Sequence, residues 1–487
     1  MGYFSSHNHT THSNYRLPDS TNSPIHLFNR AIEAGLTGFA VTDHESLSAH
    51  KAIMNYHKKL EENNKKAPEK RDPSLPILPD GFTVGFGDEA YLVDRLGMNQ
   101  RYWHWLLIAR NESGHRALRK LSTRAWENSY MDRGMQRVPL MKIDVEEILE
   151  ETGAHDDLIV TSACIGGELG YCALNIKSLL DAGTSMEDPQ ILSYKQQMVD
   201  YVNWNKSLFG ENFYIELAPN DKEEQRFCNE MFWNLSKSMG VKAIFATDSH
   251  YLTKEDRDIH RAFLNSRDGE REVDDFYSTA YMMTKEEVKE FFLLDFTEEQ
   301  FEEMVANLEE MRSKITHYSL DRPQEVPVVE LEIPEPSHPE VPKEYEFIKI
   351  MEKSDSEQDL FWVRTCLNEL YKRGKWDDSR YLKALNNEAE VLVEVSKKMG
   401  ASMTSYYNTA KRLIEVMWDD KLGNSLVGPS RGSAMAFLSN WLLDITQIDP
   451  IPYEIPFWRH LSKSRPELPD IDIDSEGFRK EDIIDAI

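Results

Sequence analysis

The sequence predicts an α/β protein, a barrel of seven βα units followed by a mainly helical second part. Three observations carry this. Between residue 4 and about residue 250, seven short apolar runs recur with amphipathic, helix-forming sequence between several of them, the alternation expected of parallel strands joined by helices. Titratable residues gather at the C-terminal ends of those runs, the end of a βα barrel where its loops converge. A Pro- and Glu-rich stretch, "RPQEVPVVELEIPEPSHPEVPKEYE" at 322–346, then interrupts the pattern and reads as a linker or extended wrap.

In order, the runs are "YFSSHNH", "TGFAVTDH", "FTVGFGDEAYLV", "WHWLLIAR", "LIVTSACIG", "FYIELAP" and "AIFATDSH". Seven units suit a closed or nearly closed barrel. The polar residues at their ends are His7 and His9, Asp43 and His44, Glu89, Cys164, and Asp248 with His250. His104 is the exception, because it opens its run. The segment 58–80 reads as a surface insertion, and 251–321 as a mostly helical, acidic bridge. After the linker, "QDLFWVRTCLNELYKRGKW" predicts a helix. "NNEAEVLVEVSKKMG" predicts another, capped by an Asn and stopped at Gly400. "GNSLVGPSRGSAMAFLSNWLLDIT" predicts a Gly-rich turn running into an apolar helix, and "LPDIDIDSEGF" a strand.

Bulk properties narrow the class. A chain of 487 residues with 40% hydrophobic, 29% charged and 10% aromatic residues is expected to hold two or three globular domains. The longest apolar run, near "WHWLLIA", is far short of the about 20 residues a membrane span needs. No charged-then-apolar signal opens the chain, so a cytoplasmic protein without membrane contact is expected. The 4 cysteines have no paired spacing and predict no disulfide framework. A formal charge of −28 argues against broad nonspecific nucleic-acid binding by this chain alone, since phosphate neutralisation drives that binding.

In His7-Asn8-His9 the imidazoles are two apart, so on a strand they face one side and can grip one ion. An isolated pair of this kind is equally a metal-free surface feature. Asp248-Ser249-His250 repeats the geometry, and Asp43-His44 ends another run, which makes chance a poor explanation.

These stretches resemble the PHP (polymerase and histidinol phosphatase) domain, on "HNHTTHSN", "VTDHESL", "GDEAYLV", "YWHWLLIARNESGHRALRKLS", "TSACIGGELG", "FYIELAPNDKEEQ" and "FATDSHYLTKEDRDIHRAFL". The wording is similar to the PHP domain that opens bacterial DNA polymerase III alpha subunits and covers residues 1 to about 275. The resemblance implies a PHP-type (βα)7 barrel with a metal centre of two or three Zn or Mn ions. By position its ligands would be His7, His9, Asp19, His44, Glu89, His104, Cys164, Asp248 and His250. His12, His26, His50, His115 and His155 have no matching role. Such a centre implies phosphodiester hydrolysis, removing nucleotides 3′→5′, because clustered divalent ions activate water and clamp both oxygens of the displacement. A mixed His, carboxylate and thiolate set suits zinc or manganese better than magnesium. The alternative is a degenerate domain that only stiffens a polymerase.

In the second part, Gly428, Gly432 and Ser433 lie in a turn before a helix, where backbone N–H groups favour phosphate. About 40 residues on, strand alternation puts Asp470, Asp472 and Asp474 on one face and Ile471 with Ile473 on the other. With "IDPIPYEIPFWRHL" between them, these motifs resemble the palm of family C DNA polymerases. The resemblance implies a partial α+β nucleotidyl-transferase palm over 346–487, after a bridge and linker at 276–345. Asp472 and Asp474 would hold catalytic Mg, and Arg431, Gly432, Ser433 and Arg459 would contact the incoming nucleotide. Family C palms need a third carboxylate beyond a thumb insertion, and this chain stops at Ile487.

The expected function is therefore the N-terminal part of a replicative, DNA-directed DNA polymerase, with wording that suits a phage enzyme. Primer-template DNA and dNTPs would be its substrates. A second polypeptide would supply the missing parts if the gene is split, and through it the sliding clamp and other replisome subunits. The alternatives are a stand-alone PHP phosphoesterase and a non-catalytic scaffold for polymerase assembly.

Overall fold

The structure is a computed structural model that describes residues 2–15, 17–97, 100–132, 134–266, 275–322 and 325–487. Two compact units divide at residue 321. Among the described residues, no helix is long and apolar enough to cross a membrane.

The first unit carries strands β1 (Phe4–Ser5), β2 (Gly38–Val41), β3 (Thr83–Val93), β4 (Trp103–Ala109), β5 (Tyr130–Asp132), β6 (Met135–Arg137), β7 (Pro139–Met141), β8 (Leu158–Thr161), β9 (Phe213–Leu217) and β10 (Lys242–Phe245). All seven apolar runs become strands of one open, curled half-barrel sheet in the order β1-β2-β3-β4-β8-β9-β10. The short β7 joins it beside the far end of β3, and β5 and β6 form a separate pair. No ladder joins β1 to β10. Beyond their ends a single parallel bridge links Asn8 and Ser249, with the His9 N–H donating to the Ser249 carbonyl at 3.0 Å.

The expectation of parallel strands throughout fails at β4, which runs antiparallel to both β3 and β8. Among the described residues no helix separates β3 from β4, and so short a connection between neighbouring strands reverses the chain. The reversal explains the exceptional histidine. The start of β4 lies at the same end of the sheet as the finish of its antiparallel neighbours β3 and β8, and His104 pairs with Tyr91 there.

Residues Trp105 to Ala109 are fully buried, as suits a strand covered on both faces, and the Trp105 indole donates to Asn205 at 3.0 Å. Each of Leu106, Leu107 and Ile108 contributes about 1.5–3 kcal/mol by leaving water. The helix Glu298–Ser313 packs along β10 and β1. Thr297 and Gln300 cap its start, and Phe301, Met304, Leu308 and Met311 form its buried stripe.

The second unit is helical, built from Glu346–Glu352, Glu357–Lys372, Ser379–Met399, Met403–Trp418, Leu438–Leu442 and Lys480–Ala486. Its core includes Trp362, Leu392, Tyr407 and Phe437. Before it, the Pro/Glu-rich stretch lies extended along Glu357–Lys372, where Gln358 and Asn368 donate to the carbonyls of Val329 and Glu335. The second predicted helix stops at Gly400, in the left-handed region at φ 70°, but it begins earlier than expected, capped by Asp378. The predicted apolar helix after the Gly-rich turn is only a 3-10 turn, Ala434–Ala436, and Leu438–Leu442. Residues 470–474 form no ladder. The expected alternation is nevertheless present, with Ile471 and Ile473 packed on the core and the three aspartates exposed. Among the described residues, this unit has isolated bridges and no strand.

Candidate metal centre

The nine side chains singled out in the first part meet at one end of the sheet, brought there by the segments following β1, β2, β8 and β10, by β3 and by the start of β4. Three non-glycine residues in these segments have left-handed backbone: Glu45 after His44 (φ 46°), Ala163 before Cys164 (φ 56°) and Asp248 itself (φ 46°). Conformations of this kind cost free energy and persist where the surrounding structure over-determines them. Gly166 packs so closely that a Cβ there would lie 3.0 Å from the His104 ring.

Glu89 sits at the middle. Its Oε1 faces His7 Nε2 at 3.3 Å, His104 Nδ1 at 2.9 Å and Cys164 Sγ at 4.0 Å. Its Oε2 faces His9 Nε2 at 3.2 Å and His44 Nδ1 at 2.9 Å. Asp248 Oδ1 lies 3.3 Å from His7 Nε2 and 3.0 Å from His9 Nε2. Asp19 Oδ2 lies 3.3 Å from His250 Nε2 and 3.5 Å from His44 Nε2. Three overlapping sets of possible ligands result: His9, Asp19, His44 and His250; His7, His9 and Glu89; His44, Glu89 and His104.

The donor set fits divalent ions. Atoms bound to one ion at about 2.1 Å stand roughly 3.0–3.4 Å apart, the spacing found here. Asp19 Oδ2, Glu89 Oε2, Asp248 Oδ1 and His44 Nδ1 are buried atoms that no hydrogen bond satisfies. Buried polar atoms left this way are costly, and four aimed into one cluster of N and O donors are the arrangement a cation completes.

In the second unit, Arg431 Nη1 pairs with Asp474 Oδ1 at 2.9 Å, and the Gly428 N–H donates to the Asp474 carbonyl at 2.9 Å. Gly432 has φ 62°, and a Cβ on it would lie 3.2 Å from Asp472 Oδ2. The Gly-rich turn therefore lies directly against the acidic segment. Ser433 pairs with His460 Nδ1 at 3.1 Å, and it lines a small cleft together with Arg459 and Asp470.

Residues 7–220 match the PHP domain, and residues 361–487 match the bacterial DNA polymerase III alpha NTPase domain. Together the two matches have the order of an N-terminal PHP domain followed by the start of a family C DNA polymerase III alpha sequence. It is 38% identical over 501 residues to the probable DNA polymerase YorL of Bacillus subtilis (strain 168) and, equally, to the DNA-directed DNA polymerase of Bacillus phage SPbeta. Each of those alignments covers 99% of this chain and 37% of the relative. The DNA polymerase III subunit alpha of Campylobacter jejuni is 26% identical over 493 residues, covering 98% of this chain and 36% of that protein. The chain thus spans little more than a third of the length of these relatives.

Around the PHP centre, outer groups fix the imidazoles. His7 Nδ1 donates to Glu216 Oε1 at 2.8 Å, and Thr161 donates to the other Glu216 oxygen at 2.7 Å. His9 Nδ1 meets Ser13 Oγ at 3.0 Å, and Ser13 in turn donates to Asp43 at 2.8 Å. The His250 Nδ1–H donates to the Asp248 carbonyl at 2.8 Å. Each bond leaves an Nε2 lone pair facing the centre, the usual way an outer partner sets a ligand tautomer. Sequence reasoning missed Glu216. The signal was an acid inside the apolar strand "FYIEL", where a charge is expensive unless it has a task.

The electrostatics of the PHP centre are those of a site where protons stand in for cations. Burial disfavours charge on His7, yet Asp248, Glu216 and Glu89 outweigh it and hold the imidazole well above its ordinary value. His9, buried likewise, is raised to about 10 by the adjacent Asp248 and Glu89 carboxylates, and burial of His250 is outweighed by Asp19 and Asp248. Against burial, neighbouring imidazoles pull Asp19, Glu89 and Asp248 far below the carboxylate range. Burial dominates at His44, lowered to about 4, and at Cys164, whose thiol is pushed well above its ordinary value.

Proposed function

We propose that the PHP domain, residues 1–275, is a metal-dependent phosphoesterase that removes nucleotides 3′→5′ from DNA. The convergence of four unsatisfied buried atoms on one cluster, three of them on residues of the three overlapping ligand sets and the fourth on Asp248 beside His7 and His9, carries this reading. The nine residues from His7 to His250 would hold two or three Zn or Mn ions, which when bound supply an activated water and charge neutralisation for the phosphodiester. Glu89 would be shared between ions through its two oxygens. His7, His9 and His250 would present fixed Nε2 atoms, held by Glu216, Ser13 and the Asp248 carbonyl. A closed (βα)7 barrel is the finer fold reading, supported by the bridge between Asn8 and Ser249.

We further infer that residues 346–487 are the first part of a nucleotidyl-transferase palm, in a cytoplasmic replicative polymerase acting on primer-template DNA and dNTPs with replisome partners. Residues 276–345 would join the two functional parts. Asp472 and Asp474 would hold Mg, while Arg431, Gly432, Ser433 and Arg459 would meet the triphosphate. The support is the apposition of the Gly-rich turn to both aspartates. The test of the hydrolytic reading is Mn-dependent release of nucleotides from single-stranded DNA by the intact chain, Asp248→Asn and His9→Ala. Equal activity in all three would reject it.

A further inference from the structure

At the opposite end of the sheet, where β3 begins, a partly enclosed pocket of about 330 Å³ lies between the helix His50–Asn64 and the stretch 316–321 that ends the first unit. His57 and Glu61 project into it from successive turns of the helix, and His317 reaches it from the terminal stretch. One ligand atom from each of the three lies within 4.8 Å of the others. None of the nine PHP residues lines this pocket.

The two imidazoles face each other with ring centroids 5.6 Å apart. Neither ring makes a hydrogen bond, although His57 is only 8% exposed. Both imidazoles therefore keep ring nitrogens free of protein partners and available to a ligand in the pocket. Of the three lysines lining the pocket, Lys51 pairs with Asp321 and Lys58 Nζ lies 3.6 Å from it, which leaves the positive charge of Lys65 alone to oppose a cation. Glu62 adds a further negative charge on the rim.

We propose that His57, Glu61 and His317 form a second metal site, selective for zinc, that clips the end of the first unit to the helix His50–Asn64. Two imidazoles and one carboxylate with a solvent-facing fourth position are a donor set that zinc takes in tetrahedral geometry, and soft or neutral nitrogen donors disfavour magnesium and calcium. The i, i+4 spacing of His57 and Glu61 puts both on one helix face, so only His317 must be brought in by the fold. Its role is structural: three protein ligands would add to the Thr316 hydrogen bonds to Arg110 and the Tyr318 ring packed against Phe86 and His115 in fastening this stretch.

The experiment counts zinc equivalents bound by the full chain and records the visible spectrum of its cobalt form, with intact protein, His317→Ala and Glu61→Gln, each also in an Asp248→Asn background that weakens the PHP centre. The expected result is one equivalent fewer in both clip variants whichever background is used, and loss of a tetrahedral cobalt band. Affinity for that last equivalent should fall by more than the roughly 10–100-fold that loss of an outer partner costs. His317 is exposed, so His317→Ala should keep its native circular dichroism and remain interpretable. Unchanged stoichiometry and cobalt spectrum in folded His317→Ala and Glu61→Gln would overturn the site. Loss of equivalents only in the Asp248→Asn background would assign all the zinc to the PHP centre and overturn it equally.

Discussion

Replacing Glu89 with glutamine preserves side-chain volume and removes the charge that two of the three ligand sets share. The expected consequence can be worked from linkage. An ion present at a hundred times its dissociation constant stabilises the folded state by about 2.7 kcal/mol. Unfolding a unit of this size carries an entropy near 0.7 kcal/mol per kelvin, so each bound ion raises the melting temperature by about 4 °C. Three ions would give the intact protein about 12 °C. Glu89→Gln, left with one intact set, should gain only about 4 °C. Differential scanning calorimetry across a manganese titration, with metal counted per chain, measures both quantities. Uptake should also release protons and weaken as pH falls, because His7 and His9 must give up protons to bind. If Glu89→Gln shows the same gain and the same ion count, Glu89 is not the shared ligand and the reasoning from its two oxygens collapses.

Other expectations are simpler. Glu216→Gln should cost roughly 10–100-fold in metal affinity by loosening His7, with the fold retained, as metal titration would show. Gly166→Ala should displace the His104 ring and reduce metal-dependent hydrolysis while binding at Asp19 and His250 persists, read from ion count and activity together. The buried Glu388 is raised to about 7 by burial, although it accepts the Leu438 and Ser439 N–H groups. The folded state therefore binds the extra proton, and the second unit should lose about 3 kcal/mol as pH rises from about 4.5 through 7. Glu388→Gln should flatten that dependence in denaturant melts at several pH values. Arg431→Ala should change stability by no more than about 1 kcal/mol, since its pair with Asp474 is exposed, so any larger deficit in nucleotide binding would be functional.

Much of this arrangement was legible in the sequence because strands with apolar bodies and polar ends announce both the sheet and the site. Every apolar run became a strand, and all nine proposed ligands meet. The direction of β4 was not legible, since an apolar run reads the same in either sense. Only the shortness of the connection from β3 hints at reversal. The three-residue strands β5, β6 and β7 are too short for any periodicity to register. The apolar stretch after the Gly-rich turn satisfies a helical pattern, yet Ala434–Ala436 form a 3-10 turn and the chain leaves the helix Leu438–Leu442 with Asp444 in a left-handed conformation at φ 61°. The alternation in "DIDID" was read correctly as two faces and incorrectly as a strand. Burial sets the faces, whereas a ladder needs a neighbouring backbone.

The bridge between Asn8 and Ser249 also constrains when the centre can exist. His7 and His9 are made at once, but Asp248 and His250 come some 241 positions later. At the usual about 5–20 residues per second of synthesis, the opening imidazoles wait roughly 10–50 s for the partners that complete their ligand sets. A growing chain therefore holds a weak pair of donors long before it owns a metal centre, and tight loading must follow the emergence of the last strand from the ribosome.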